Sequence, residues 1–286
     1  MLSHLVVALA LSAPALPPKF NLEEPPADPK ATKIVLVAGS NYYKPGEHEY
    51  VAACAVLADL LRQTPGVAPV LAVDWPTKPE TFAGAKAVVF LLDGGDKHPF
   101  LKGDRLAQVQ KLMDDGVGLV QLHQVADYPK DLADRARGWA GGAWEKGSGQ
   151  RAHWVGAFKT FPDHPVFRGV GAFTIDDGWL FQNTFAEGKK GVTPLLRTVN
   201  PKGTAKAEDD AAVVAWAFER GGAKGGRAFT FTGGHLHASF AEEGYRRFLT
   251  NGVLWAAGVE VPATGATVKL DPADLKAYLA TPPAKK

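Results

Sequence analysis

Four apolar runs in the first 123 residues constrain the fold more than any other feature of the chain. They read KIVLVAG (33–39), PVLAVD (69–74), AKAVVFLLDGGD (85–96) and VGLVQLH (117–123). None of them alternates apolar with polar residues. A strand with one face in water alternates, whereas a strand covered on both faces need not, so the runs predict buried parallel strands. Helical spacing fills two of the gaps. In VAACAVLADLLRQTPG, the residues Ala53, Val56, Leu57, Leu60 and Leu61 recur on one side, and Pro65-Gly66 closes the helix. In RLAQVQKLMDDG, Leu106, Val109, Leu112 and Met113 do the same, with Asp104 placed to cap. Such alternation builds a parallel sheet with right-handed crossovers and helices on its faces.

The second half is less regular. Residues 138–190 are rich in Gly, Trp, Phe and His. They predict an inserted lobe of loops and short strands, near 154–158 and 172–175. TPLLRTV and AAVVAWAF read as paired strands, and RAFTFT (227–232) as a strand returning to the main sheet. The helix EEGYRRFLTNGVLWAAG gathers Tyr245, Phe248, Leu249, Gly252 and Trp255 on one side, and DPADLKAYLA adds a short helix. At the other end, the apolar run Leu5–Leu11 precedes Ala13-Pro14-Ala15, a small-x-small cleavage pattern without a basic n-region. The expected organisation is a signal peptide at 1–15, a proline-rich linker at 16–31, one α/β domain at 32–262 and a C-terminal tail at 263–286. The expected location is periplasmic or secreted.

Composition narrows the function classes. The chain of 286 residues is 46 % hydrophobic and 22 % charged, with a net charge of +2. Acids and bases are interspersed, which favours neither nucleic acid nor an anionic membrane as a partner. The run at 5–11 is too short to span a bilayer, and no later run is long enough. A single cysteine, Cys54, excludes an intramolecular disulfide and a multi-thiolate zinc site. It falls on the apolar side of the first helix, as an inert core thiol would. The chain has no G-x-S-x-G elbow, no G-x-x-x-x-G-K-[ST] loop and no G-x-G-x-x-G after the first strand.

Open parallel sheets bind ligands outside the carboxyl ends of their strands. The first strand leads to a loop carrying Glu47, His48 and Glu49. The third ends at Asp93 and Asp96, with His98 beyond, and the fourth ends at His123-Gln124. RAFTFT ends at Gly233-Gly234-His235-Leu236-His237. Four polar strand ends are therefore expected along one rim. If residues 235–237 are extended, His235 and His237 project to one face, where neutral imidazoles chelate a divalent metal such as zinc. His48, His123 or Asp93 would complete that shell. The candidate catalytic residues are His123, His235, His237 and Asp93. Glu47, His48, Gln124, Gly234 and Trp179 are candidates for substrate binding, and His48, His123, His235 and His237 for metal ligation.

Each residue also has an ordinary reading. Glu47, His48 and Glu49 suit the first turn of a helix. Asp93-Gly-Gly-Asp96 is turn chemistry. His153 and His164 suit loop packing. Trp179, in DDGWLF, is either a sugar-stacking platform or a core residue.

The segments KIVLVAGSNYYKPGEHEY, LLDGGDKHPFL, GVGLVQLHQ, FPDHPVFRG and FTGGHLHASF…RRFLTNGVLWAAG, in this order, resemble the ThuA-like (trehalose-utilisation) family over about 32–262. The resemblance implies a flavodoxin-like fold similar to class I glutamine amidotransferases. Those enzymes carry a cysteine in the sharp turn after a central strand and a histidine from a late strand. Here the matching turn, LVQLHQV, offers His123, and GGHLH resembles the late histidine motif. Without the thiol, amidotransferase chemistry of that kind is excluded. The resemblance further implies a role in disaccharide use, through 3-keto sugars made by a partner dehydrogenase. Three functions follow as expectations: an exported enzyme acting on a disaccharide or its 3-keto derivative, a non-catalytic carbohydrate-binding or sensing protein, and a metal-dependent hydrolase of another substrate. Carbohydrate is the expected ligand, and a homo-oligomer is compatible with the chain.

Overall fold

The computed structural model describes residues 21–41 and 43–279. In chain order its elements are β1 (Thr32–Ala38), α1 (Tyr50–Arg62), β2 (Val67–Val73), β3 (Ala87–Leu91), α2 (Arg105–Asp114), β4 (Gly118–Leu122), β5 (Asp127–Tyr128), α3 (Lys130–Ala140), β6 (Gly142–Glu145), β7 (Gln150–Phe158), β8 (Phe173–Phe181), β9 (Thr184–Phe185), β10 (Val192–Arg197), β11 (Val213–Glu219), β12 (Arg227–Phe231), α4 (Glu243–Ala256) and α5 (Leu275–Tyr278).

Seven strands form the main sheet in the order β10-β11-β12-β4-β3-β1-β2. β12, β4, β3, β1 and β2 are mutually parallel, while β11 and β10 add an antiparallel edge. The parallel part is the flavodoxin-like order with β12 as its fifth strand, and the order reverses between β1 and β3. The unalternating runs are explained by the two cores. Ile34, Leu36, Ala38, Val89, Val120 and Phe229 face one side, packed with α1, α4 and α5 residues such as Leu57, Phe248 and Leu275. Val35, Val37, Val88, Phe90 and Leu119 face the other, with α2 and α3 residues such as Val109, Met113 and Trp139.

Several expectations meet corrections. Asp104 precedes α2 but its side chain caps nothing: at φ −95°, ψ 6° it lacks the extended backbone from which a cap reaches back. α3 was not anticipated, although Leu132, Ala133, Ala136, Trp139 and Ala140 have helical spacing and Gly141 closes the helix in a left-handed conformation. The lobe at 138–190 holds a nine-residue antiparallel ribbon, β7–β8, longer than the short strands expected, and β6 and β9, which join β5 in a small sheet. The expected signal peptide lies outside the described residues.

The described part of the proline-rich stretch is docked. Leu22 bridges Leu71. The Glu23 carboxylate accepts bonds from Thr77, from the Lys78 N–H and from the Thr81 hydroxyl (2.6 Å). The tail packs too: the Tyr278 hydroxyl meets Asp59 on α1 at 2.6 Å. No helix among the described residues is long and apolar enough to cross a membrane.

Candidate functional site

Three histidines converge at the carboxyl edge of the sheet. His123 is the first residue after β4 and turns the chain with φ 59°. His48 sits in the loop before α1 with φ 50°. His235 follows β12 after Gly234, whose φ of 100° suits only glycine. The His48 and His235 loops pair with each other: the His48 N–H donates to the His235 carbonyl (2.9 Å), and the His237 N–H to the Gly46 carbonyl (3.0 Å). Ring centroids of His48 and His235 are 4.3 Å apart, and those of His48 and His123 are 4.9 Å apart. One ring nitrogen from each of His48, His123 and His235 lies within 4.8 Å of the other two.

Hydrogen-bond partners fix which nitrogens face inward. His123 Nδ1 meets the Thr232 carbonyl at 3.2 Å. A carbonyl only accepts, so Nδ1 carries the proton and Nε2 holds a lone pair. His48 Nδ1 lies 3.0 Å from the Tyr50 hydroxyl, whose proton goes to Asp93 Oδ1 at 2.7 Å. His48 Nδ1 therefore donates, and its Nε2 is also free. His235 Nδ1 faces His123 Nε2 at 3.4 Å, while His235 Nε2 lies 4.0 Å from Glu47 Oε2. The 3.4 Å separation is close to the about 3.3 Å edge of a tetrahedron around zinc with bonds of about 2.0–2.1 Å.

All three rings are held neutral. Burial lowers the pKa of His123 well below the usual value, and the neighbouring His48 adds to this. Burial, with His48 and His153, brings His235 down to about 4, and burial lowers His48 as well. Three imidazoles with ring nitrogens within 4.8 Å of one another are a donor set that could hold a divalent cation. Outside them stand the groups that usually orient ligating histidines, a carbonyl and a hydroxyl–carboxylate relay.

The expected candidates separate into two groups. Asp93 is an outer member, accepting from Tyr50, from Tyr43 (2.6 Å) and from Asn41. Glu47 lies beside His235, its pKa lowered by its bond to Lys44. Gln124 lines the adjacent cleft. Gly234 gives its N–H to Asp177 at 2.7 Å.

His237 is not with the other three. Residues 235–237 do not continue the strand, and His237 opens a 3₁₀ turn, its Nε2 bonded to the Leu275 carbonyl at 3.2 Å. The expected H-x-H pair is thus split. Trp179 is 1 % exposed, with its Nε1 on the Trp154 carbonyl, and presents no stacking face to a sugar. Cys54 is buried in α1, and burial raises its thiol pKa. His98 and His164 take the ordinary role, each accepting a backbone N–H two residues on.

The site opens into a cleft of about 660 Å³ lined by His48, Asp93, Gln124, Asp127, Trp144 and Arg151, among others. The Arg151 guanidinium lies 4.4 Å over the Trp144 ring and pairs with Asp127, whose carboxyl burial pushes up to about 6. Sequence reasoning passed over Tyr50, Arg151 and Asp177. The acid in the apolar strand TIDDGWLF was the one available signal, since a buried carboxylate needs partners.

Fold and site together describe a doubly wound α/β protein with a three-histidine centre at the carboxyl rim. The chain belongs to the ThuA (trehalose utilisation) family, whose model matches residues 34–256. Two solved structures are similar in fold. A ThuA-like protein from Parabacteroides merdae ATCC 43184 is 16 % identical with a TM-score of 0.55, over 82 % of this chain and 92 % of that one. A ThuA-like protein from Bacteroides uniformis ATCC 8492 is 18 % identical with a TM-score of 0.54, over 82 % of this chain and 95 % of that one. No curated protein matches the chain.

Proposed function

We propose that this protein is an exported enzyme of carbohydrate utilisation, acting on a disaccharide or its 3-keto derivative with a divalent cation held by His48, His123 and His235. The observation that carries this reading is the convergence of three imidazoles, one ring nitrogen of each within 4.8 Å of the others, with His48 lining the adjacent cleft. A cation held there would polarise a carbonyl oxygen or acidify a bound water. Glu47, whose Oε2 lies 4.0 Å from His235 Nε2, would serve as the general base for a proton on a carbon next to such a carbonyl. The charged Asp127 and Arg151 and the amide of Gln124 suit a ligand made of hydroxyl groups. Family membership supports the sugar, and the apolar run at 5–11 supports export.

The test has two arms. Zinc or cobalt at a hundred times its Kd stabilises the wild type by about 2.7 kcal/mol, read as a rise in Tm, and leaves His123→Ala and His235→Ala unmoved. Incubation with trehalose, 3-keto-trehalose and related 3-keto glycosides, followed by NMR, gives a product that disappears in both variants. Full turnover in both variants overturns the reading. Tight sugar binding without product after long incubation replaces it with a carbohydrate-binding protein.

A further inference from the structure

The inserted ribbon reaches into the histidine centre from outside the main sheet. Asp177, on β8, is fully buried. Its Oδ1 accepts the N–H groups of Gly178 (2.8 Å), His235 (2.8 Å) and Leu236 (3.2 Å), and its Oδ2 that of Gly234 (2.7 Å). Three of the four donors belong to the loop that carries His235, 57 to 59 residues away in sequence. Those loop N–H groups find in one carboxylate the acceptor that a strand neighbour would otherwise supply. The next residue completes the seat. A Cβ on Gly178 would stand 2.9 Å from Cγ of the His235 ring and 3.0 Å from its Cβ, so the ring rests where that residue has no side chain.

We infer that Asp177 is a positioning residue: with Gly178 it forms a cradle that fixes the His235 loop and turns His235 Nδ1 toward His123. The ribbon then belongs to the working centre, although none of its atoms ligates there. A side chain that fixes an imidazole's direction leaves the ligand in place when lost but lets it swing, and such outer partners are worth about 10–100-fold in metal affinity. The consequence for affinity rests on the proposed cation, whereas the cradle itself does not.

Cobalt(II) titration and ¹⁵N spectra of the histidine rings test this in the wild type, Asp177→Asn and Gly178→Ala. The amide of Asp177→Asn keeps one oxygen but turns an NH₂ toward N–H donors. Gly178→Ala leaves the carboxylate intact and pushes the His235 ring, along with the edge of His153 at 2.9 Å, and serves if the first variant fails to fold. Expected are about 10–100-fold weaker cobalt binding in each folded variant, and a metal-free His235 that changes from one tautomer to a mixture. The His123 pattern and the Tm with chelator should change far less in Gly178→Ala. Wild-type cobalt affinity together with an unchanged His235 pattern in either folded variant overturns the inference. If the wild type itself binds no cobalt, the cation reading fails, and the metal-free His235 spectra alone decide the role of Asp177.

Discussion

At the residue scale, the two histidines of H-x-H have different work. His235 aims Nδ1 at His123, whereas His237 ties the C-terminal segment to the loop through the Leu275 carbonyl. His235→Ala should abolish the cobalt-induced rise in Tm. His237→Ala should keep that rise but lower the metal-free Tm, by an amount corresponding to about 1 kcal/mol for one lost bond. Equal loss of metal response in both variants would contradict this division. The sequence placed His48, His123 and His235 on one rim because strand ends are readable from apolar runs. It grouped His237 with them on the condition that residues 235–237 are extended, and the 3₁₀ turn that begins at His237 breaks that condition. Asp177 was legible only as an acid in an apolar strand: its partners are backbone N–H groups, which leave no mark in sequence.

At the scale of elements, α4 lies against β12 through the bare face of Gly252. A Cβ there would meet the Phe229 ring at 2.5 Å. Ala for Gly inside a helix ordinarily stabilises by about 1 kcal/mol. Here overpacking costs about 1–3 kcal/mol and prevails. Gly252→Ala should lower the urea midpoint, and a raised midpoint would show that the helix can shift outward. The strands and helices of the parallel half were legible from uninterrupted apolar runs and helical spacing. The β7–β8 ribbon was legible only in part, because β7 alternates exposed and buried residues between glycines and the run at 173–181 resembles a core strand only at its end.

At the scale of the whole molecule, burial of neutral histidines makes the fold sensitive to acid. His98 is 1 % exposed, donates Nε2–H to the Val125 carbonyl (3.0 Å) and accepts the Phe100 N–H at Nδ1. Burial lowers its pKa to about 4, whereas the unfolded imidazole takes up a proton near pH 6.5. The unfolded chain thus binds more protons between these values, and stability present above pH 6.5 is lost as pH falls toward 4. His98 accounts for up to roughly 3 kcal/mol of this, and the three site histidines shift in the same direction. Burial raises Asp177 to about 7 and Asp127 to about 6, which acts the other way over the same range, so the test is a difference: from pH 7 to pH 4.5 the urea midpoint of the wild type should lose more, or gain less, than that of His98→Gln. An identical change in both proteins would refute the account.

The left-handed backbone at His48 bears on how related chains can be read. At φ 50° a side chain is a liability that glycine does not share. His48→Gly should therefore be more stable than His48→Ala by about 1 kcal/mol in denaturant titration, although both lack the imidazole. A descendant released from selection on the histidine centre would drift toward glycine at this position while keeping every strand. Glycine at position 48 would mark a chain that has kept the architecture without the three-histidine cluster.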